Sequence, residues 1–464
     1  MVHAAYDAGM HAAGLDLAPF RALRYAPERV GNLADVISPP YDVVVRPDEQ
    51  RDLETSDPHN IVRLILPRTP ERAAATLHEW LAAGVLRTDR VPALYVYEQR
   101  APGLPLQRGI MGALRLTVPS EGTVLPHEDV IPEVVDERAA LLRATRTDLE
   151  PLLLAYRGAG DDTVPAVVER ATARPPLLAT PTDDATEHRI WAVTEPAEIA
   201  VVRAELARHR ALIADGHHRW ATRLRLSAEH GGRPPWDRGL VLLVDTDRHP
   251  LRVSPIHRVV AGLPLAEALA RAGTAFRVSP VAGPLDAALR VLDDTPGNAF
   301  LLARASTDAG TGTGTGTDGA FHLLDRPDPA LLTRTVPADR PRAWRELDAT
   351  VLNAALLGEL WRPAAGRPLR VRHLHGAPAA VAQTAGSGDG FAVLMRAVRE
   401  ETVRTLAERG VTMPHKSTSF GPKPATGLLL RDPQDDPRDD PQDEARDRPA
   451  GETASGPDCR ANLG

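Results

Sequence analysis

The sequence predicts an α+β fold, and three observations carry that expectation. Short apolar runs of strand length are interspersed with stretches of helical periodicity. The two kinds do not alternate regularly, as they would in a parallel α/β sheet. A buried strand runs into a tight turn and then a helix near residue 215, fixing one local unit of mixed structure. With 464 residues, the chain is too long for one ordinary core, so two or more packed regions are expected.

The elements follow in order. Residues 1–16 form an extension, and ordered structure starts at Leu17-Ala18-Pro19-Phe20. Pro39-Pro40-Tyr41-Asp42 is a rigid turn, because two prolines fix the backbone and Asp can bond the next amides. Asn60 to Pro67 predicts a strand stopped by proline. Ala73 to Ala83 predicts a helix with Leu77, Trp80 and Leu81 on one face. Ala93 to Gln99 and Gly109 to Val118 alternate as strands of a hairpin. Helices are predicted over Glu137 to Ala144, Pro165 to Ala173 and Pro196 to Ala207, and a strand over Ile190 to Val193. Ala211-Leu212-Ile213-Ala214 is a buried strand that meets Asp215-Gly216, and a helix follows from about His218 to His230. Leu240 to Asp245 is another buried strand. Leu347 to Trp361 is an amphipathic helix, and Phe391 to Arg409 a strand followed by a helix. The division expected is a main α+β region over 17–260 and a C-terminal α+β region over 261–430. The latter carries a flexible Gly-Thr loop at 309–319. From 431 to 464 the chain is rich in Asp, Pro and Arg and is expected to be a disordered acidic tail.

Charge and composition narrow the function classes. The net charge of -7 is concentrated toward that tail, leaving no basic surface that calls for nucleic acid or an anionic membrane. No apolar run reaches the ~20 residues of a membrane helix, and no signal peptide is expected from residues 1–17. Cys459 is the single cysteine, so an intramolecular disulfide and a cysteine zinc site are both excluded. A reducing, cytoplasmic setting is expected.

The residues able to do chemistry fall in four places. Asp215-Gly216-His217-His218-Arg219 joins a strand to a helix. Helix-start N–H groups and the helix dipole favour an anion there. Gly216 permits a sharp turn. Arg219 offers a planar fork for phosphate oxygens. Asp215 suits a magnesium ion or a histidine tautomer, and His217 or His218 a ligand. His127-Glu128 offers a general base or a metal ligand. Lys416-Ser417-Thr418, inside a proline-framed segment that runs to Lys423, offers a point charge and two hydroxyls to phosphate. Ser254-Pro255-Ile256-His257-Arg258 is expected to be structural. No Walker loop, kinase glycine loop, nucleophile elbow or zinc-protease helix is present in the sequence.

The blocks PFRALRY, VISPPYDVV, PHNIVRL, YVYEQ, the His127-Glu128 pair, IADGHHRWATRL, PIHRV and MPHKSTSFGPKPATGLLL occur in this order from about Pro19 to Arg431. In them the chain resembles the bacterial and archaeal family called domain of unknown function 1015. Trp220 stands where that family usually has tyrosine, and 372–390 matches it poorly. Within the resemblance, the turn at 215–219 looks like the phosphate loop of the ParB and sulfiredoxin-like superfamily, whose members include free-serine kinases and nucleotide hydrolases. The resemblance implies a small α+β core and a phosphate-binding role for Asp215, Gly216, His217, His218 and Arg219. It further implies an acid that activates a substrate hydroxyl, with Asp42 and then Glu128 as candidates.

Three functional classes follow. One is a phosphotransfer enzyme acting on a small hydroxylated metabolite, serine above all, with magnesium and a nucleotide or pyrophosphate donor. Its partner is a small-molecule phosphate compound. Another is a binding module for a phosphorylated effector. The last is a metal-dependent hydrolase using His127, Glu128, Asp215 and His217.

Overall fold

A computed structural model describes residues 14–44, 47–182, 184–305, 319–362, 369–385 and 390–436. Most of the N-terminal extension, the Gly-Thr loop up to 318, Cys459 and the tail from 437 lie outside the described residues. The fold is α+β, with several sheets and helices on their faces.

The largest sheet has nine strands. In lateral order they are Val124–Leu125, Ala211–Asp215, Leu152–Tyr156, Arg238–Asp245, Gln107–Arg115, Leu94–Arg100, Glu187–Val193 and Leu178–Pro181; Leu17–Ala18 pairs with Gln107–Arg115. Leu94–Arg100 and Gln107–Arg115 form the expected hairpin. Side chains alternate across a strand, and here both faces are covered. Tyr95, Tyr97 and Met111 enter one apolar cluster, while Leu94, Val96 and Ile110 enter the other. This double burial explains why the strand at 211 reads as a continuous apolar run.

A second sheet of six antiparallel strands runs, in order, Arg277–Val281, Gly319–Asp325, Ala299–Ala305, Gly390–Leu394, His257–Ala261 and Arg370–Leu374. The chain then returns to the first region. Helix Glu400–Glu408 buries Val403 and Leu406 in the first region's core, together with Met413, Phe420 and Leu430. The two regions are thus linked by a segment, 413–423, that passes between them. Among the described residues no helix is long and apolar enough to cross a membrane.

Three expectations are corrected. Asn60 to Pro67 is not a strand: Asn60 accepts the Val62 N–H at 2.9 Å and donates to the Asp35 carbonyl at 2.8 Å, and Val62–Ile65 makes a helical turn. Local side-chain bonding outweighs the β-branched composition. In helix Pro70–Ala82, Leu77 and Trp80 are buried but Leu81 is exposed. The tail does not begin at Arg431. Leu430–Arg431 pairs with Ala22–Tyr25, and the fully buried Arg431 binds Asp148 at 3.0 Å and Asp436 at 2.5 Å.

Candidate functional site

The strand Ala211–Asp215 pairs on one side with Leu152–Tyr156, and its register shifts between Ile213 and Asp215. Such a bulge adds one residue and re-aims the next side chain. Gly216 follows with φ +102°, a left-handed conformation that an L side chain resists. A Cβ there would stand 3.3 Å from the Arg219 side chain and from Leu152 Cδ2. Helix His217–Glu229 then starts at once. Its first-turn N–H groups, on His217, His218 and Arg219, have no acceptors within the helix.

These residues form one wall of a cavity of ≈ 220 Å³. The other walls come from far along the chain: Tyr41 and Asp42; His127, Glu128 and Ile131; Ile256; His375; and Lys416, Thr418 and Lys423. Residues from six separate stretches of sequence therefore face one space.

The floor is an ion cluster. Lys423 Nζ lies 2.5 Å from Asp42 Oδ2 and 2.5 Å from Asp215 Oδ1. Arg219 donates to the other Asp215 oxygen at 2.6 Å and to the Pro151 carbonyl at 3.0 Å, with Glu150 Oε1 3.9 Å away. Glu150 in turn accepts the Tyr41 N–H at 3.0 Å. Burial works to raise Asp42, but Lys423 and then Arg219 outweigh it and hold the carboxyl below its ordinary value. Asp215 goes the other way: burial, then the neighbouring Asp42 charge, raises it against the pull of Lys423 and Arg219.

Glu128 occupies a different setting. Thr418 Oγ1 lies 3.4 Å from its Oε1, and the opposite side of that hydroxyl meets His127 Nε2 at 3.1 Å. Burial lifts the Glu128 carboxyl to about 7, with Lys416 opposing and Asp215 adding to the rise. Burial takes His127 down to about 4. Burial, then His127, holds His217 well below the usual histidine range, so both rings are neutral at pH 7.

A family described as "Protein of unknown function (DUF1015)" matches residues 17–350. The chain belongs to the DUF1015 family. No curated protein matches it. Similar solved structures include SbnI with C-terminal truncation from Staphylococcus aureus, at 10% identity, TM-score 0.35, over 72% of this chain and 92% of that one. A conserved hypothetical protein from Pyrococcus furiosus gives 14%, 0.32, 68% and 94%. A free serine kinase in complex with AMP gives 14%, 0.33, 71% and 93%. Likenesses at these TM-scores carry no argument about this chain.

In this DUF1015 member, Asp42, His127, Glu128, Asp215, Gly216, His217, His218, Arg219, Lys416 and Thr418 all line the one cavity. Ser417 does not. It is buried, lines a neighbouring cavity with Arg258 and Met395, and its hydroxyl has no partner among the described residues.

Other expectations change with geometry. Arg219 Nη2 already bonds Asp215 and Nη1 the Pro151 carbonyl, so a phosphate gripped by both would have to displace these bonds. His217 Nε2 accepts the His127 N–H at 3.2 Å, which occupies the lone pair that a general base would use. Asp215 is not available to magnesium, because both its oxygens are held by cationic side chains. The hydrolase set of His127, Glu128, Asp215 and His217 fails for the same reasons. Among the described residues no three His, Cys, Asp or Glu side chains gather to hold a metal.

The sequence reading gave no role to Lys423, His375 or Glu150. Lys423 lay inside the quoted proline-framed segment, and its Gly-Pro-Lys-Pro context, which fixes the backbone on both sides, was a usable signal. His375 and Glu150 carry no local signal at all. Arg258, expected to be structural, is buried and donates to the Ile256 carbonyl at 2.7 Å and the Lys416 carbonyl at 2.8 Å. It thereby holds the Lys416 turn, whose φ is +54°.

Proposed function

We propose that this protein transfers a phosphoryl group to or from the hydroxyl of a small metabolite, with L-serine and phosphoserine as the first substrates to test. One observation carries the reading. The Glu128 carboxyl, lifted to about 7, opens on the same cavity as the first turn of the helix at 217. A group that titrates near neutrality is suited to accept a hydroxyl proton. A helix start is suited to hold the phosphate that the hydroxyl attacks.

In the forward direction the backbone N–H groups of His217, His218 and Arg219 bind phosphoryl oxygens, and Lys416 adds a positive charge. Glu128 takes the hydroxyl proton as the substrate oxygen bonds to phosphorus. The bond from phosphorus to the donor oxygen breaks, and its electron pair leaves with the donor. Such catalysis consists of positioning and charge stabilisation. Asp42, Lys423, Asp215 and Arg219 form a fixed floor beneath it. The ≈ 220 Å³ cavity is below the about 300–1,000 Å³ of sites for drug-sized ligands. That favours a small acceptor with only the phosphate end of a nucleotide or pyrophosphate inside.

Magnesium does not fit the chain's own donors. Lys423 stands between the two aspartates that would hold it, and no step here depends on the metal. The proposal includes a strand-turn-helix core of the ParB and sulfiredoxin-like kind and a cytoplasmic location.

The test is incubation with serine or phosphoserine and a panel of nucleotide and pyrophosphate donors, with and without magnesium, followed by phosphorus NMR. A new phosphoester or phosphate resonance is expected. Tight binding of a phosphate compound with no turnover of any donor would leave a binding module instead.

A further inference from the structure

The two histidines of the helix start make an arrangement that the proposed chemistry does not by itself require. His217 Nε2 accepts the backbone N–H of His127 at 3.2 Å. His218 Nε2 accepts the backbone N–H of Ile131 at 3.0 Å. Glu128 lies between those two amides. The same loop is tied once more on its far side, where the Met413 N–H donates to the His127 carbonyl at 2.7 Å. Consecutive residues of a helix point about 100° apart, so the two rings reach the loop at two separate points and bracket the carboxylate.

Neither contact is a by-product of packing. A ring nitrogen that accepts an N–H must be unprotonated, so each ring must be neutral with its proton on Nδ1. The surroundings meet that need. His217 is buried against His127, their rings edge to face at 4.4 Å between centroids. Burial, then Lys416, disfavours a proton on His218; Asp42 opposes this, and His415 and Arg219 add to it.

We propose that His217 and His218 are positioning residues that clamp the Glu128 loop over the phosphate-binding turn. The idea rests on the phosphotransfer reading and adds a geometric rule to it. One helical turn performs both tasks. Its backbone N–H groups face the anion, and the side chains of the same residues hold the base. The distance between phosphate and base is therefore set inside a single turn of helix, the stiffest unit available. His127 and Ile131 are held by neutral rings, so the clamp adds no charge to the site.

The experiment compares the wild-type full-length chain with His218→Ala and His218→Gln. His218 is only half buried, so its variants are chosen ahead of the more buried His217. Deuterium exchange by mass spectrometry reads the 127–131 segment. Titration with inorganic phosphate reads the helix start. The pH profile of turnover reads the base. His218→Ala is expected to speed exchange of that segment about tenfold while phosphate affinity stays within about threefold. His218→Gln, whose side-chain oxygen can reach the Ile131 N–H, should restore the protection. With the loop loosened and the carboxyl hydrated, the acid limb of the pH profile moves down in His218→Ala and returns in His218→Gln. Unchanged exchange in a folded His218→Ala overturns the clamp, whatever the activity. Absence of turnover in the wild type sinks the phosphotransfer reading alone, because exchange and phosphate titration still test the clamp.

Discussion

Asp42 and Glu128 are carboxylates on the walls of one cavity, and their protons behave in opposite ways. Asp42 is held ionised by Lys423, a residue 381 positions away in sequence. Glu128 faces a neutral histidine and a threonine hydroxyl, so burial dominates and its carboxyl rises from 4.5 to about 7. The proposed base is therefore Glu128 and not Asp42. The resemblance put Asp42 first, and residue type alone could not reverse that order, because it depends on a distant lysine. Glu128→Gln should abolish turnover and keep phosphate binding. Wild-type activity should fall as pH drops through about 7, since the ionised carboxylate is the active form. Stability gives an independent check. A carboxyl raised on folding contributes stability below its unfolded value of 4.5, and that contribution is lost as pH rises through about 7. Glu128→Gln should thus match the wild type near pH 4 and exceed it above pH 7 by on the order of 3 kcal/mol in chemical denaturation. A constant difference across that range would remove the shifted carboxyl. Arg219→Ala acts otherwise: it leaves Asp215 with Lys423 alone and takes from Glu150 its main cationic neighbour, and about 3 kcal/mol of stability should be lost. Loss of phosphate affinity with no change in the denaturation midpoint would return Arg219 to a direct phosphate contact.

The unit that was most legible in the sequence is strand, glycine turn, helix. It is contiguous, so one window of about twenty residues contains all of it. The apolar run at 211–214, the glycine and the helical period after it each constrain the same place. The segment 60–67 shows the opposite case. Its Ile, Val and Leu suit a strand, but Asn60 bonds to backbone groups of 35 and 37, which no local pattern reveals. At this scale Gly216 is the sensitive point. Its φ of +102° and the 3.3 Å approaches to Arg219 and Leu152 leave no comfortable place for a Cβ. Gly216→Ala should cost about 1–3 kcal/mol, read as a lower thermal midpoint. It should also weaken phosphate binding, because the strain is relieved by shifting the first helical turn. A variant with unchanged midpoint and affinity would mean that the turn tolerates a side chain and does not set the anion site.

At the scale of the whole molecule, the cavity belongs to no single region. Asp42, Glu128 and Asp215 come from the large-sheet region, Ile256 and His375 from the neighbourhood of the six-stranded sheet, and Lys416 to Lys423 from the returning segment. The sequence showed the clusters as separate candidates, and only packing brings them to one space. The six-stranded sheet has a defined lever on the site. Arg258 sits in it with 1% exposure and no carboxylate partner among the described residues; burial lowers its guanidinium to about 10. Its donors go to the carbonyls of Ile256 and Lys416. It therefore serves as a backbone anchor and carries no charge to the substrate. Arg258→Met keeps the apolar volume and leaves no orphaned carboxylate, so the fold should persist. The Lys416 turn, held at a positive φ, loses its tether and should relax. Phosphate affinity is then expected to fall about tenfold, the worth of one well-placed contact. The acid limb set by Glu128 should move up as the turn relaxes, because Lys416 is the first charge that holds that carboxyl down. Phosphate titration and a pH profile of the same variant decide the point. An unchanged affinity would show that the second sheet supports the site only as a scaffold. An acid limb left in place would show that the Lys416 charge stays beside Glu128 without the Arg258 tether.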